Sequence, residues 1–290
     1  MILIVGSTGA LGTAVARGLL ASRQKVRALV RDAATDKARQ LEAAGAALVV
    51  GDLKSPATLD AAVQGIDTIV CTASATLSRQ EGDAIETVDQ RGIQNLIDAA
   101  EHAHTRRFIF VSFSRNIAAD FPLAAGKRAA ERRLEASPID YTILLPSYFA
   151  ETWLSPAVGF DVGNGRVRIY GPGTAKVSYV SLEDVARAVV ACVGNPRTSR
   201  QAIPIGGPEP LSQLEAVALA ERAGGRKLQL EFMSSEQIAA ARAATQDSLM
   251  ASFLGLFAAL AKGDAIASGW TEVLGVEPRS IADWITSSFG

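Results

Sequence analysis

Three glycines at intervals of three residues stand where an apolar run gives way to a helical pattern. They are Gly6, Gly9 and Gly12 in IVGSTGALGTAVARGLL, residues 4–20. After a strand, the first glycine of such a set permits a tight turn, the second lets the main chain approach a pyrophosphate, and the third lets helix and strand pack closely. The amino end of the helix then faces the phosphate charge. We predict a nicotinamide dinucleotide here; the alternative is a turn that only needs a positive φ. The residues predicted to bind it in this segment are Gly6, Ser7, Thr8, Gly9, Ala10, Leu11 and Gly12.

The residues after the second apolar run, KVRALV, decide which dinucleotide is bound. An acidic side chain there holds a free ribose 2′-OH, whereas a cation accepts a 2′-phosphate. Arg31 comes first, and Asp32 is the rival because it lies about 20 residues past Gly12, as in NAD binders. Lys37 and Arg39 add positive charge nearby. We favour Arg31 and predict NADP(H); the alternative is that Arg31 is a solvated loop residue.

Further candidates follow the other apolar runs of the same region. Ligands of open α/β sheets bind beyond the carboxyl ends of the strands, so these positions are predicted to line one crevice. Asp52 could accept a hydrogen bond from the adenine amino group, or it could cap the helix that begins at Pro56. The residues predicted to contact the cofactor here are Asp52, Leu53, Thr72, Ala73, Ser74, Ser112, Pro146, Tyr148 and Phe149.

The elements that must position these residues are visible as a repeating rhythm. Short β-branched runs (ILIV, KVRALV, AALVV, DTIVCT, RFIFVS, YTILLP) alternate with longer amphipathic stretches, which is typical of a parallel sheet with crossover helices. We predict an α/β fold with a Rossmann-like, doubly wound parallel sheet over residues 1–150. A smaller, mainly helical C-terminal substrate lobe is expected over 151–290, with a strand and helix near 177–205 returning to the first domain. The later elements are expected at Val167–Tyr170, Val177–Val180, Leu182–Val193 and QAIPIGG.

Composition restricts the partners. The 290 residues carry 29 basic and 30 acidic side chains without a block of like charge. We therefore expect no electrostatic binding to nucleic acid or anionic lipid. The longest apolar segment, Leu249–Ala261, is too short to span a bilayer. Met1 leads straight into ILIV without a cationic leader, so we expect a cytoplasmic protein. The sequence leaves the oligomeric state open.

Cysteine and histidine content points away from thiol and metal chemistry. Cys71 and Cys192 each lie in apolar surroundings, which is typical of small buried side chains, and neither has a neighbouring His or second Cys. The two histidines, His102 and His104, sit together between a predicted helix and strand. We therefore predict no metal site.

Several longer segments together resemble one known family. They are GSTGALG, ALVRD, GDL, ETVDQRGIQNLIDAA before RRFIFVS, AERRLEASPIDYTILLP, VSYVSLEDVARAV and IGGPEPLSQLEAVALAERAGG. As a set covering most of residues 1–225, they resemble the NmrA-like group of atypical short-chain dehydrogenases/reductases. The resemblance implies a Rossmann domain, a preference for NADP(H) and a small C-terminal lobe that closes over the nicotinamide. The group includes quinone and isoflavone-type reductases, and also transcriptional regulators and photosystem assembly factors that use the nucleotide as a signal.

The resemblance also implies a role for Lys127. In the broader superfamily a tyrosine donates a proton to a substrate carbonyl, and a lysine four residues later holds the nicotinamide ribose and lowers the pKa of that tyrosine. Here PLAAGKRAAERRL keeps Lys127 but has Leu123 in the tyrosine position, so the usual acid is missing. Leu145 and Ser147, where relatives often have LRPG, are further departures. The alternative for Lys127 is an exposed helix charge that pairs with Glu131.

Catalysis does not require that tyrosine for every acceptor. Hydride transfer depends mostly on the cofactor, so the protein must chiefly orient the nicotinamide and exclude water. Lys127 can stabilise a developing oxyanion, and Ser112, Ser114 and Tyr148 are candidate donors. The alternative for Tyr148 is packing against the C-terminal lobe. We predict catalytic roles for Lys127, Tyr148 and Ser112, and contact with the cofactor for Lys127 as well.

These residues predict an NADP(H)-dependent oxidoreductase that reduces a small apolar or aromatic acceptor: a quinone, an enone or a carbonyl. The alternative is a non-catalytic NADP(H)-binding redox sensor, regulator or assembly factor. A sugar-nucleotide epimerase or dehydratase is less favoured, because such enzymes normally rely on the tyrosine that is replaced by Leu123 here. Apolar residues of the late helix and after the sixth strand would line a substrate site only in part, since such stripes are more often core. They are Phe149, Trp153, Leu154, Met250, Phe253, Leu254 and Phe257.

Overall fold

The computed structural model of the chain describes residues 1–78, 80–118, 120–267 and 269–290. The strands are β1 Ile2–Val5, β2 Val26–Val30, β3 Ala47–Val50, β4 Thr68–Cys71, β5 Arg107–Val111, β6 Asp140–Pro146, β7 Phe160–Asp161, β8 Arg166–Tyr170, β9 Lys176–Val177, β10 Gln201–Ile205, β11 Leu211–Ser212 and β12 Gln229–Met233. The α-helices are α1 Ala10–Ala21, α2 Asp36–Ala43, α3 Pro56–Ala62, α4 Ile93–His102, α5 Pro122–Glu135, α6 Ala150–Trp153, α7 Leu182–Cys192, α8 Gln213–Gly224, α9 Ser235–Ala244, α10 Ser248–Lys262, α11 Trp270–Leu274 and α12 Ile281–Phe289. A π-helix, Ile85–Gly92, runs directly into α4.

Seven strands form one parallel sheet in the order β3-β2-β1-β4-β5-β6-β10. The strands β1, β4 and β5 at its centre are buried along their whole length, because helices cover both faces of such a sheet. The predicted doubly wound Rossmann-like fold is thereby confirmed. The strand order reverses between β1 and β4, and in open α/β sheets the carboxyl ends of the strands at such a point border the ligand crevice.

The chain divides into two compact units. The first comprises Met1–Ser112, Pro122–Leu145 and Val185–Ile203, and the second comprises Phe113–Phe121, Pro146–Asp184 and Pro204–Gly290. Most of helix α7 and strand β10 thus belongs to the first unit, and the second unit also contains the segment that follows β5.

The second unit combines helices with two small sheets. Its three-stranded sheet has the order β12-β8-β7, and β11 pairs with β9. Strand β12 lies in a region that the sequence predicted as mostly helical. It pairs in parallel with β8 over all five of its residues. None of the helices in the described ranges combines the length and hydropathy needed to cross a bilayer.

Candidate functional site

The glycine turn after β1 has the geometry that the sequence pattern requires. Gly6 has a φ of +84°, and a Cβ there would lie 2.8 Å from the main-chain nitrogen of Ala73. A Cβ on Gly12 would lie 2.1 Å from the carbonyl oxygen of Gly6. The turn closes through the Gly9 N–H, which donates to the same oxygen at 3.0 Å. Glycine is therefore obligatory at the first and third positions, the first for its conformation and the third for the contact of α1 with the turn.

The side chains at the start of α1 do not cap its amino end. Its N-cap is Gly9, which supplies no capping side chain, and its first turn has no acidic residue. The Ser7 hydroxyl is buried and donates to the Leu29 carbonyl at 2.7 Å, so it ties the turn to β2. Thr8, Gly9 and Ala10 are accessible. The amides of the first turn are thus available to an anion.

Arg31 and Asp32, the two rivals for the cofactor ribose, have different partners in the structure. The Asp32 carboxylate accepts from the Ala34 N–H at 2.7 Å and shapes the turn before α2. The Arg31 guanidinium forms an ion pair with Asp83. Lys54 donates to the other oxygen of the same carboxylate. A guanidinium and an ammonium group, which follow β2 and β3, therefore converge on one carboxylate.

Asp52 does not cap the helix that follows β3. Its carboxylate accepts from the Lys54 N–H at 2.8 Å and lies 3.4 Å from the Lys54 ammonium. The N-cap of α3 is Ser55, with Pro56 in the first turn. Leu53 beside it is buried and 7 % exposed. The predicted contact of Asp52 with adenine stays a prediction.

The segment after β4 is fixed through its main chain. The Thr72 N–H donates to the Val5 carbonyl at 2.9 Å, which continues the pairing of β4 with β1. The Ala73 carbonyl accepts from the Lys127 ammonium at 3.2 Å. The Ser74 hydroxyl donates to the Thr76 hydroxyl at 3.3 Å. This segment therefore joins the glycine turn to helix α5, which carries Lys127.

Lys127 is a buried cation rather than a solvated helix charge, since it is only 5 % exposed. Besides the Ala73 carbonyl, its ammonium lies 3.4 Å from the Asp89 carboxylate and 5.1 Å from the centre of the Phe110 ring. Glu131, the partner in the alternative interpretation, instead accepts from Ser112 and pairs with Arg128. The structure therefore favours a fixed position for Lys127.

Asp89 is a residue that the sequence interpretation missed. It lies on the π-helix, is completely buried, and accepts from the Ala75 N–H at 2.8 Å. Its second oxygen lies 3.4 Å from the Lys127 ammonium but has no hydrogen-bond partner among the residues that the structure describes. A signal was present, because Ile85, Val88, Asp89 and Gly92 form one buried face at a helical spacing. An acid on an apolar face requires a partner, and Lys127 is that partner.

Ser112 is engaged inside the first unit. It is 6 % exposed, and its hydroxyl donates to the buried Glu131 carboxylate. Its N–H donates to the Leu144 carbonyl at 2.9 Å, which continues the pairing of β5 with β6. In this arrangement the serine proton is directed at Glu131, and the catalytic role of Ser112 stays a prediction.

Tyr148 belongs to the second unit and is 3 % exposed. Its hydroxyl donates to the Leu256 carbonyl at 3.0 Å, and its ring meets that of Trp153 edge-on at 4.6 Å. Burial raises the pKa of the phenol well above its usual value, and the charge of Asp264 adds to this shift. These contacts favour the packing alternative for Tyr148. Phe149 beside it is half-buried.

The aromatic residues of the late helix pack against one another within the second unit. Phe257 stacks on Tyr170 with a centroid distance of 4.0 Å and meets Trp153 at 5.8 Å. The cavity beside this cluster has a volume of about 10 Å³, which leaves no room for an aromatic ligand. This part of the predicted apolar stripe is core.

Asp264 is a second buried acid that the sequence did not indicate. It is 1 % exposed and accepts from Ser114 at 2.7 Å, Asn116 at 2.8 Å and Ser147 at 2.7 Å. These three donors lie after β5 and after β6, at the carboxyl ends of neighbouring strands. Ser114 is thus a structural donor to Asp264 in the second unit, which fixes both segments. Pro146 is part of this arrangement, since its carbonyl accepts from the Ser114 N–H at 2.8 Å.

The model of the NmrA-like family matches residues 1–280 of this sequence. The chain belongs to the NmrA-like family. The resemblance read from the sequence motifs is thereby confirmed.

Relatives in this family have different roles. The chain is 32 % identical to an NAD(P)H azoreductase from Xenophilus azovorans, over 82 % of this chain and 78 % of that protein. It is 30 % identical to a photosystem II assembly factor from Trieres chinensis, over 78 % of this chain and 69 % of that protein. Among solved structures, an NADPH-dependent quinone oxidoreductase from Escherichia coli, crystallised with NADPH, superposes with a TM-score of 0.83. That structure has 22 % identity to the chain, and the match covers 100 % of both chains. At this identity the superposition shows a shared fold.

Proposed function

We propose that this NmrA-like protein is an NADP(H)-dependent oxidoreductase that transfers a hydride to a small apolar or aromatic acceptor. Its cofactor is NADP(H). The observation that carries the proposal is the burial of Lys127, which is held by Ala73 and Asp89 beside the segment that follows β4. The azoreductase relative supports the assignment to a reductase.

The residues of the first unit fit a phosphorylated dinucleotide. The turn at Gly6 and Gly12 keeps space that side chains would fill, and the first-turn amides of α1 are free to bind a pyrophosphate. Arg31 and Lys54 supply the positive charge that a 2′-phosphate needs. Lys127 would hold the nicotinamide ribose. The remaining predicted contacts are those of Ser7, Thr8, Asp52, Leu53, Thr72, Ser74, Ser112, Pro146, Tyr148 and Phe149.

When bound, NADPH supplies the hydride. The role of this chain is then to hold the acceptor beside the nicotinamide and to stabilise the negative charge that develops on it. Lys127 is suited to that task because its position is fixed before reaction, so little reorganisation accompanies charge development. Leu123, buried in the tyrosine position, has no proton to donate.

The proposed acceptor class follows from the proton donors: the candidate hydroxyls of this chain already donate to other groups. The hydroxyls of Ser112 and Tyr148 donate to Glu131 and to the Leu256 carbonyl. A quinone or an enone delocalises the negative charge after hydride addition and can take its proton from water. We therefore propose acceptors of this type ahead of simple carbonyls.

The same engaged hydroxyls favour one second candidate, a nucleotide sensor or assembly factor without turnover. The relative from Trieres chinensis, a photosystem II assembly factor, supports this candidate. Such a protein would need the dinucleotide site of the first unit but no proton donor.

The test is an NADPH-oxidation screen against quinones, enones, aromatic aldehydes and azo dyes, run beside a direct titration of the protein with NADPH. We expect binding, and turnover with at least one quinone or enone. Binding without turnover across the panel would favour the second candidate. Failure to bind either nicotinamide nucleotide would exclude both candidates.

A further inference from the structure

Asp83 has an unusual position for an acid in a predicted phosphate site. Its side chain is only 2 % exposed, although that of its partner Arg31 is 37 % exposed. One of its oxygens binds Lys54, and the other binds Arg31 and the Ser78 hydroxyl. A single carboxylate thus binds both of the cations that the cofactor proposal assigns to a 2′-phosphate.

The charges of this cluster cancel. Arg31 and Lys54 contribute two positive charges, and Asp83 and Asp52 contribute two negative charges. The Asp52 carboxylate lies 3.4 Å from the Lys54 ammonium. A phosphate monoester carries between about −1.5 and −2 charges at neutral pH. It therefore gains less attraction from these four side chains than from Arg31 and Lys54 alone while Asp83 remains ionised and in place.

Asp83 stays ionised under all ordinary conditions. Burial alone would raise its pKa, but hydrogen bonds from Lys54, Ser78 and Arg31 lower the pKa to about 2. The negative charge is a permanent feature of the cluster at neutral pH. A 2′-phosphate must either displace this carboxylate from the cations or bind in its presence.

We propose that Asp83 is a specificity-determining residue, whose carboxylate competes with the 2′-phosphate for Arg31 and Lys54 and so limits the preference for NADPH over NADH. The inference rests on the proposed cofactor function. NADH has no phosphate at this position, so it does not compete with Asp83. The carboxylate can instead accept from a free ribose hydroxyl, as the acid that follows the second strand does in NAD-binding proteins. Both effects act in the same direction on the ratio of the two affinities.

The experiment measures the dissociation constants of NADPH and NADH by calorimetry for the intact protein and for Asp83→Asn. We expect the ratio of the NADH constant to the NADPH constant to rise about tenfold, because one unscreened charge near a phosphate has an effect of this order. The fragments 2′,5′-ADP and 5′-AMP should show the same change, since the nicotinamide half plays no part in it.

The matched control is Asp36→Asn, which removes the same charge from an exposed site on α2. Asp36 is 92 % exposed and its nearest cation, Arg39, is 3.9 Å away. We expect its affinity ratio to stay within about twofold of the wild-type ratio because exposed charges are screened. An equal effect of both substitutions would show a general charge effect and overturn the assignment.

Two further outcomes separate this inference from the cofactor proposal. If the wild-type protein binds NADPH and the ratio for a folded Asp83→Asn or Asp83→Ala variant is unchanged or lower, Asp83 only anchors its loop and the inference is wrong. If the wild-type protein binds neither nucleotide, the proposed function fails and the inference fails with it. Circular dichroism checks the fold of each variant. Arg31 and Lys54 are partly exposed, so water can solvate them once the carboxylate is removed.

Discussion

The pairing of Lys127 with Asp89 shows how a buried cation can be fixed by a carboxylate on another element. Both side chains are almost completely buried, and the ammonium group lies between this carboxylate and the Ala73 carbonyl. Removing one partner of a buried ion pair leaves an uncompensated charge in a medium that solvates it poorly. If Lys127 acts in catalysis as proposed, stability and turnover are coupled at this point of the first unit.

We predict that Lys127→Met lowers the free energy of unfolding by about 3–5 kcal/mol, because it removes the ion-pair partner of the buried Asp89 carboxyl and leaves it with the Ala75 N–H as donor. Adding Asp89→Asn should recover most of that loss, since the amide carries no charge and can still accept from Ala75. Urea unfolding of the single and double variants measures both changes. Turnover should remain absent in the double variant. Restored turnover together with restored stability would mean that Lys127 acts only as a structural partner of Asp89.

Arg31→Ala tests the choice of cofactor. The substitution leaves Lys54 with Asp52 and Asp83, so the cluster becomes negative and repels a 2′-phosphate. We expect NADPH binding to weaken by at least about tenfold and NADH binding by less than about threefold. Titration of both nucleotides measures this.

The control for this prediction is Arg39→Ala. The sequence counted Arg39 among the positive charges near Arg31, but in the structure this side chain is 64 % exposed on α2 and pairs with Asp36 at 3.9 Å, whereas Arg31 pairs with Asp83. Arg39→Ala should leave both affinities within about twofold. Equal weakening of NADPH binding and NADH binding by Arg31→Ala would show that the guanidinium does not bind the 2′-phosphate.

At the residue scale, the sequence predicts which side chains could do chemistry better than it predicts their partners. The glycine turn and the position of Arg31 follow from local pattern, because a turn and a strand end are local features. The partners of Tyr148 and Lys127 do not. Leu256 lies 108 positions from Tyr148, and Ala73 lies 54 positions from Lys127. Only the tertiary fold brings such groups together.

At the element scale, the strands of the large sheet were predictable, whereas the π-helix and strand β12 were not. The central strands are short β-branched runs buried on both faces, which produces a clear signal. The π-helix gives no comparable signal, because its apolar spacing over Ile85–Gly92 is also that of an α-helix. Strand β12 was missed because it is short and half-exposed, and it is defined by its pairing with β8.

Helix α1 supports a prediction at this scale. Gly12→Ala places a Cβ 2.1 Å from the Gly6 carbonyl oxygen, so the helix must move away from the turn. We expect the free energy of unfolding to fall by roughly 3 kcal/mol, as overpacking against rigid backbone does, and NADPH binding to be lost. Urea unfolding and nucleotide titration measure the two effects.

The matched variant on the same helix is Gly18→Ala, whose new Cβ would meet only a methyl group of Val190, at 3.0 Å. That half-buried side chain can shift, and alanine favours the helix by up to about 1 kcal/mol over glycine. Its stability should stay within about 1 kcal/mol of wild type and its NADPH affinity should be unchanged. Similar losses in both variants would refute a specific role for the contact of Gly12 with the turn.

At the scale of the whole molecule, the two units are interleaved along the chain. The chain passes from one unit to the other after residues 112, 121, 145, 184 and 203. Two of these passages fall inside strands of the large sheet, within β6 and within β10. Because each of these strands contributes residues to both units, we expect the chain to unfold in a single cooperative transition.

The chain carries natural probes that distinguish the two units. Cys71 and Cys192 lie in the first unit, and the three tryptophans, Trp153, Trp270 and Trp284, lie in the second. Burial raises the pKa of Cys71 to about 11 and that of Cys192 to about 12. The native thiols are therefore both inaccessible and protonated, and a thiol reagent reacts only after the first unit opens.

We predict that pulse labelling of the thiols and tryptophan fluorescence report the same urea midpoint. NADPH at about 100 times its dissociation constant should add about 2.7 kcal/mol to the free energy of unfolding reported by both probes. The shared shift follows because a ligand of the first unit stabilises every part that unfolds with it. Thiol labelling at lower urea than the fluorescence change, or a shift by NADPH in the thiol curve alone, would show that the units unfold separately despite the strands that join them.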